Sequence, residues 1–191
     1  MKLRKYTIGV DFGTLSARGV LVEVRSGEIV CDSVSEYRHG VIGRTLPKTG
    51  EKLPNDFALQ DAADYVESFR LVISDIIRSS KVDPKDIIGV GVDFTCCTLV
   101  PTMTDGTALS MIDEFSTEPH AYVKLWKHHA AQYCADIFNE KANELCPDLL
   151  SRFGGKISPE WLFPKAMEIL DRAPRIYESA DLLLEAGDYI T

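Results

Sequence analysis

The chain has 191 residues, 45% hydrophobic and 26% charged, with a formal net charge of -8 at pH 7. This length and composition suit one globular domain, and the acidic balance argues against nucleic-acid binding, since phosphate-backbone binders cluster Lys and Arg. The cysteines show no metal-type C-x-x-C spacing, which indicates reduced thiols in a cytoplasmic protein, and no apolar run approaches membrane-spanning length. We therefore expect a small-molecule ligand, with neither nucleic acid nor membrane as partner.

The first part of the chain carries strand-like segments with short connections. Residues 6–11, 17–23 and 28–37 alternate or run apolar as strands do, and the short connections predict an antiparallel meander. Residues 39–57 are rich in Gly, Pro, Lys and Thr and show no periodicity. They predict an excursion over the surface or over a cleft.

Helices and strands alternate in the remainder. Residues 60–80, 121–144 and 161–171 predict helices, while residues 87–94 and 182–185 predict buried strands, the first of them buried on both faces and parallel to the opening strand. The predicted apolar face of the first helix consists of Val66, Phe69, Ile73, Ile76 and Ile77. This order predicts an α/β fold, a mixed sheet of three antiparallel strands and then parallel strands, with helices on both faces.

The opening strand ends in an acid followed by a Gly-Thr turn. Asp11 closes the apolar run, Gly13 allows backbone N–H groups to approach an anion, and Thr14 adds a hydroxyl. Ser16 and Arg18 alternate onto one face of the returning strand. The combination suits a magnesium nucleotide, with Asp11 toward the metal through water, whereas the alternative is an ordinary hairpin of common turn residues.

A second group of polar residues follows the predicted buried strand. Asp93 ends that strand, and Thr95, Cys96 and Cys97 come directly after it. Because ligands of open α/β sheets bind beyond the carboxyl ends of strands, this position favours a site. The alternative is that Asp93 caps a turn and the cysteines are small core residues.

Trp126 lies in the predicted helix of residues 121–144, next to a pair of histidines. Its ring offers a flat apolar wall to a polyol, or is simply part of the core. Adjacent residues such as His128 and His129 point about 100° apart on a helix, so they are not expected to bind one metal ion together.

These motifs give the chain a resemblance to the N-terminal part of the FGGY carbohydrate kinases, with several features specific to their ribulokinase branch. The likeness extends over nearly all residues and includes GVDFGT at 9–14, YRHGVI at 37–42, ALQD at 58–61, GVDFT at 91–95, PHA at 119–121, LWKHHAA at 125–131, GGKIS at 154–158 and EAGD at 185–188. The resemblance implies the ribonuclease H-like fold of the actin, sugar kinase and Hsp70 superfamily. It also implies phosphorylation of L-ribulose by ATP at O5, giving L-ribulose 5-phosphate in arabinose catabolism.

The resemblance further implies a set of contacts. For ATP and Mg²⁺ these are Asp11, Gly13, Thr14 and Arg18, with Asp11 serving the metal. Ser16 is counted with them because it shares one face of the returning strand with Arg18. For the ketopentose they are Thr95, Cys96, Cys97 and Trp126. In this family the catalytic Asp, the adenine pocket and the second domain lie farther along, so we expect residues 1–191 to be an incomplete first domain without a catalytic residue and inactive alone.

Other interpretations stay open at this point. A nucleotide-dependent switch protein of the actin and Hsp70 kind uses the same phosphate cradle without a sugar. Another pentulose kinase of the FGGY family, or a stand-alone sugar-binding module, also agrees with parts of the pattern. A homodimer is compatible with the sequence, which does not determine the oligomeric state.

Overall fold

The computed structural model describes residues 4–191, which divide into two compact units. The first unit comprises the described residues of Met1–Gly40, Ala63–Thr95 and Ile190–Thr191, and the second comprises Val41–Ala62 and Cys96–Tyr189. In chain order the strands and α-helices are β1 (Tyr6–Phe12), β2 (Ser16–Glu23), β3 (Ile29–Glu36), β4 (Leu59–Gln60), α1 (Ala62–Ser80), β5 (Ile87–Phe94), β6 (Leu99–Thr102), β7 (Val123–Lys124), α2 (Gln132–Leu145), α3 (Pro147–Ser151), α4 (Leu162–Arg172), α5 (Pro174–Ser179), β8 (Leu182–Glu185) and α6 (Ala186–Ile190).

The first unit is built on a mixed sheet. Its strand order is β3-β2-β1-β5, with β2 antiparallel to both β1 and β3 and with β5 parallel to β1. The antiparallel meander and the parallel strand reached through a helix are therefore confirmed, as is the α/β fold class. Ile8, Val10 and Phe12 alternate onto one buried face of β1, where Phe12 contacts the rings of Tyr65 and Phe69 on α1.

The buried face of α1 differs from the predicted one at Val66 and also includes residues outside the prediction. Val66 is 38% exposed, whereas Tyr65 and Val72 are fully buried. A glycine on β2 selects this face, because a Cβ at Gly19 would collide with the side chains of Val72 and Ile76. The prediction was correct for Ile76 and for Phe69, which packs on Phe12, and Ile73 and Ile77 are partly buried, so the prediction was wrong only at Val66.

The prediction that residues 87–94 are buried on both faces is wrong. Ile88 is 62% exposed and Val90 is 51% exposed. Within residues 4–191, β5 is the end strand of its sheet, and α1 reaches it through the contact of Tyr65 with Phe94 at the end of the strand. An apolar, glycine-rich run therefore forms an exposed edge strand here.

The second unit contains a separate antiparallel sheet with the strand order β4-β7-β6-β8. The strand predicted at residues 182–185 is present, but it belongs to this sheet and is only partly buried. One cluster of the core joins β6 to α4 and α5, and it contains Leu99, Leu109, Phe115, Ala121, Ile169 and Ile176. A second cluster gives the irregular excursion its own core, and it contains Ile42, Leu46, Leu53, Leu59 and Tyr122.

The long helix predicted for residues 121–144 is wrong in its first half. The α-helix begins at Gln132, and residues 123–124 form β7 instead, where Lys124 pairs with Leu59 and Leu99. Both residues of this short strand are buried, so strand pairing overrides the helical periodicity. Trp126 consequently lies in a loop. The helix predicted at residues 161–171 is confirmed as α4, and none of the helices in residues 4–191 is long and apolar enough to cross a membrane.

Candidate functional site

The Gly-Thr turn at the end of β1 is closed by its own backbone. The Gly13 N–H donates to the carbonyl of Ser16 at 3.0 Å, and the Thr95 N–H donates to the carbonyl of Phe12 at 3.3 Å. The Gly13 amide is therefore used inside the hairpin and is not turned toward an external anion. Ser16 is 9% exposed and pairs with Glu36 of β3.

Asp11 lies on the exposed face of the first unit's sheet between two charged neighbours. Its Cα partner on β2 is Arg18, and its Cα partner on β5 is Asp93. Directly opposite residues on adjacent strands place their side chains on the same face. The structure thus places Asp11 next to Arg18 and next to Asp93, which the sequence left open between a site and a turn cap. The Asp93 carboxylate also accepts the Phe94 N–H at 2.9 Å, as a turn cap does.

This charged face forms a shallow depression of about 420 Å³. Its floor contains Gly9 and Gly91, which are Cα partners across β1 and β5. The lining residues are Gly9, Val10, Asp11, Arg18, Val20, Gly91, Val92 and Asp93. Glycines on the floor leave the backbone open to a ligand, while the rim offers two carboxylates and one guanidinium. Among the described residues no group of three or more His, Cys, Asp or Glu side chains is arranged to hold a metal ion.

The segment that follows β3 is tied to the first turn of α1. The buried carboxylate of Asp64 accepts the backbone N–H of His39 at 2.9 Å and lies 2.9 Å from its ring Nδ1. Tyr37 is buried beside it, and its hydroxyl has no hydrogen-bond partner within residues 4–191. Burial, followed by the charges of Asp11 and Asp64, raises the pKa of Tyr37. The sequence alone did not identify Asp64 as the partner of His39.

The turn after β5 contains a backbone strained at one residue. Cys97 has φ +59°, a left-handed conformation that disfavours a side chain by roughly 1–2 kcal/mol. Glu185 holds the turn from one side, because its carboxylate accepts the Thr98 N–H at 3.2 Å and also a hydrogen bond from the Cys97 amide. Cys96 is exposed, and burial raises the pKa of the half-buried Cys97 thiol.

Lys165 of α4 holds the same turn from another side. Its ammonium donates to the carbonyls of Cys97 at 2.5 Å, Leu125 at 2.8 Å and Trp126 at 3.4 Å. The side chain is fully buried, and this burial lowers the pKa of Lys165 to about 8. Of the predicted sugar contacts, Cys97 and Trp126 are therefore joined through their backbones, and Trp126 is 37% exposed. Thr95 belongs to the first unit.

A second buried lysine lies in the same unit, within a group of ionisable side chains. Lys124 Nζ is 2.9 Å from Glu168 Oε2 and 3.0 Å from His120 Nδ1, and Glu168 Oε2 is also 2.9 Å from His128 Nε2. The Ala58 N–H donates to His128 Nδ1 at 3.2 Å, so Nε2 carries the proton and donates to Glu168.

The environment of this group shifts the pKa values of its members. Burial lowers the pKa of His120 to about 3 and of His128 to about 4, with Lys124 as the next cause for both. Burial also lowers the pKa of Lys124. For Glu168, burial opposes ionisation, but hydrogen bonding from His128 and the Lys124 charge bring its pKa down to about 2. The sequence predicted one helix over residues 121–144 and did not predict this buried group.

The fold defined by these two units is that of sugar kinases. A xylulose kinase from Rhodospirillum rubrum matches 97% of the chain and 33% of its own with a TM-score of 0.71 at 18% identity. A gluconate kinase from Lactobacillus acidophilus matches 98% of the chain and 32% of its own, with a TM-score of 0.71 at 20% identity. A Plasmodium falciparum glycerol kinase solved with ADP matches 98% of the chain and 33% of its own, with a TM-score of 0.70 at 13% identity. At such identities the likeness shows the fold alone. No protein-family model matches the chain.

Sequence relatives are more specific. The chain is 52% identical over 176 residues to a ribulokinase of Bacillus licheniformis, which covers 92% of the chain and 32% of the relative. It is 47% identical to a ribulokinase of Halalkalibacterium halodurans and 46% identical to one of Mycolicibacterium smegmatis, over 97% of the chain and 33% of each relative. The chain is therefore similar to ribulokinases over nearly all of its own length, and it spans about a third of the length of these relatives.

Proposed function

We propose that this chain forms the first, ATP-facing domain of a cytoplasmic ribulokinase, which transfers the γ-phosphoryl group of ATP to O5 of L-ribulose. The observation that carries the proposal is 52% identity to a ribulokinase over 92% of the chain. A charged, glycine-floored sheet face in the first unit and a strained turn beside an aromatic loop in the second agree with it. In this proposal the general base and the adenine pocket come from outside residues 1–191.

The charged sheet face supplies the proposed phosphate contacts. Mg²⁺ binds through one or two carboxylates together with water and substrate phosphates, and the exposed Asp11 beside Asp93 fits that requirement. Held by these carboxylates, the ion would supply positive charge that neutralises the phosphates. Arg18 offers a planar guanidinium to a phosphoryl oxygen next to the acid. Gly13 acts by closing the turn tightly, since its amide is already paired, and Thr14 offers its hydroxyl.

The ketopentose contacts are proposed at the Thr95 to Cys97 turn and at Trp126. Small side chains at Cys96 and Cys97 let the backbone approach the sugar hydroxyls, and the partly exposed Trp126 ring packs against C–H groups. Phosphoryl transfer depends on positioning and charge neutralisation more than on covalent chemistry by the protein. Rigid holding of these two segments is therefore part of the proposed function.

The test uses the full-length gene product that contains this chain, assayed for ADP release with a panel of ketopentoses. We expect turnover with L-ribulose, and we expect Asp11→Asn to lower kcat by roughly 100-fold or more, as removal of a charge-stabilising group does. Asp86→Asn, at the opposite end of β5, is the matched control and should stay within twofold of the parent. Absence of turnover with every ketopentose would contradict the kinase proposal, and ATP binding without turnover would favour the switch protein.

A further inference from the structure

Lys165 satisfies its three ammonium hydrogens entirely with backbone carbonyls. The acceptors come from two separate segments, namely Cys97 in the turn before β6 and Leu125 with Trp126 in the loop after β7. A lysine ammonium has three donors and no acceptor, so each hydrogen is used. Lys124 differs, because it contacts the carboxylate of Glu168.

The residue that Lys165 holds is the strained one. Cys97 keeps a left-handed backbone although it has a side chain, and such residues persist only when their surroundings determine the conformation. Glu185 binds the amides of Cys97 and Thr98, and Lys165 binds the carbonyl of Cys97. The Cys97 N–H therefore donates a hydrogen bond to a carboxylate, and the Cys97 C=O accepts one from an ammonium.

A purely structural contact does not account for a charge at this position. Burying an ammonium is unfavourable, and packed apolar residues of similar volume are often more stable than buried charged groups. Three carbonyl dipoles that converge on one point repel one another unless a cation lies between them. The ammonium thus permits an arrangement of Cys97 and Trp126 that an apolar side chain would not hold.

We infer that Lys165 is a positioning residue, which clamps the Cys97 turn to the Trp126 loop and so fixes the two segments that present the sugar contacts. This inference rests on the proposed function, since the segments are assigned to the ketopentose there. Lys165 itself reaches no sugar in this assignment, because its three donors are used by the protein.

The first experiment compares Lys165→Met with Lys141→Met in the full-length gene product at pH 7. Lys141 is an exposed lysine on α2, so its variant makes the same chemical change outside the clamp. We expect Lys165→Met to raise KM for L-ribulose at least tenfold and to leave KM for MgATP within twofold, with Lys141→Met unchanged in both. Equal KM values for L-ribulose in Lys165→Met and in the parent would overturn the inference.

A second readout does not depend on any sugar. Alkylation by iodoacetamide, followed residue by residue with peptide mass spectrometry, reports how tightly the turn is held. We expect Cys97 to react at least fivefold faster in Lys165→Met, while Cys31 of the first unit keeps its rate. If the parent phosphorylates no ketopentose but Cys97 still reacts faster, the proposed function fails and the clamp stands. An unchanged rate of Cys97 alkylation would contradict the positioning role of Lys165, whatever the kinase assay shows.

A variant of the turn itself covers the case in which Lys165→Met does not fold. Cys97→Val places a β-branched side chain where the backbone is left-handed, a conformation that such residues strongly disfavour. It should reproduce the rise in KM for L-ribulose without a change for MgATP. An unchanged KM for L-ribulose in Cys97→Val would contradict the inference. Where Lys165→Met does fold, adding Cys97→Gly should recover at least threefold of the lost affinity, because glycine adopts this conformation without strain.

Discussion

The two units depart from the usual pattern of burial in opposite directions. The second unit buries Lys124, Lys165 and Glu168 at no more than 2% exposure, whereas the first leaves Ile88 and Val90 at 62% and 51%. Lys and Glu are almost never fully buried unless they are paired, and apolar edge strands are usually protected from pairing. Buried charged side chains therefore hold loops together in the second unit, whereas the first unit leaves the edge strand β5 exposed.

Two ion pairs of equal length show the same contrast. Lys5 and Asp86 in the first unit, and Lys124 and Glu168 in the second, each have an N to O distance of 2.9 Å. The first pair is 41% and 28% exposed, and the second is 0% and 3% exposed. Water screens the first pair, so its net contribution is small, whereas loss of one partner from the second leaves an uncompensated buried charge.

The largest expected effect breaks the buried pair. Glu168→Gln keeps the shape of the side chain but removes the charge that Lys124 and His128 contact. We expect the free energy of unfolding to fall by about 3–5 kcal/mol. Urea unfolding of the variant and its parent, followed by circular dichroism, measures it.

The exposed pair provides the control for that measurement. Asp86→Asn should lower the free energy of unfolding by no more than about 1 kcal/mol. Replacing both buried partners, in Lys124→Met with Glu168→Leu, should restore much of what Glu168→Gln loses, because no unpaired charge stays behind. Equal losses in Asp86→Asn and Glu168→Gln would show that burial does not distinguish the two pairs.

The next effect in size is a dependence of stability on acid pH. The folded pKa values of His120 and His128, about 3 and 4, lie below the ordinary value of 6.5. Below pH 6.5 the unfolded state therefore binds protons that the folded state excludes, so stability falls as pH drops from 6.5 toward 4. Glu168, with its pKa lowered to about 2 from 4.5, adds a further loss between pH 4.5 and 2.

Unfolding measured at pH 7 and at pH 5 tests this dependence. We expect a loss of roughly 1–3 kcal/mol across that interval, and His128→Asn should reduce the slope because it removes one of the two titrating rings. His129→Asn is the matched control, since His129 is half exposed and pairs with Glu160 outside the buried group. If His128→Asn and His129→Asn change the pH dependence of the unfolding free energy equally, that dependence does not come from the buried His128 ring.

Local patterns were sufficient for much of the first unit. Alternation of apolar residues and short connections predicted the meander correctly, and the same alternation put Ser16 and Arg18 on one face of β2, where Arg18 lies opposite Asp11. Turn residues and periodicity also located α4 and β8. These features depend on neighbours within a few residues, and that information is contained in a single sequence.

What the sequence missed depends on distant partners. Lys165 and Glu168 lie on the buried face of α4. Charged residues in a helix are predicted to face solvent unless their buried partners are known. Residues 121–131 follow a helical period but form β7 and a loop, because strands far along the chain pair with Lys124. A lysine and a glutamate spaced by three within an apolar helix face was the available signal for the buried charges.

The smallest expected effect concerns the exposed edge of the first unit. Ile88 and Val90 are uncharged, unprotected residues on an end strand, and such strands pair readily with other chains. Val90→Lys should therefore reduce concentration-dependent self-association of the 191-residue chain in sedimentation velocity, and it should change the free energy of unfolding by no more than about 0.5 kcal/mol. Leu145→Lys removes an apolar side chain that is 76% exposed and lies on a helix, α2. If both variants reduce association equally, general surface hydrophobicity is the cause, whereas an effect confined to Val90→Lys assigns the association to the open edge of β5.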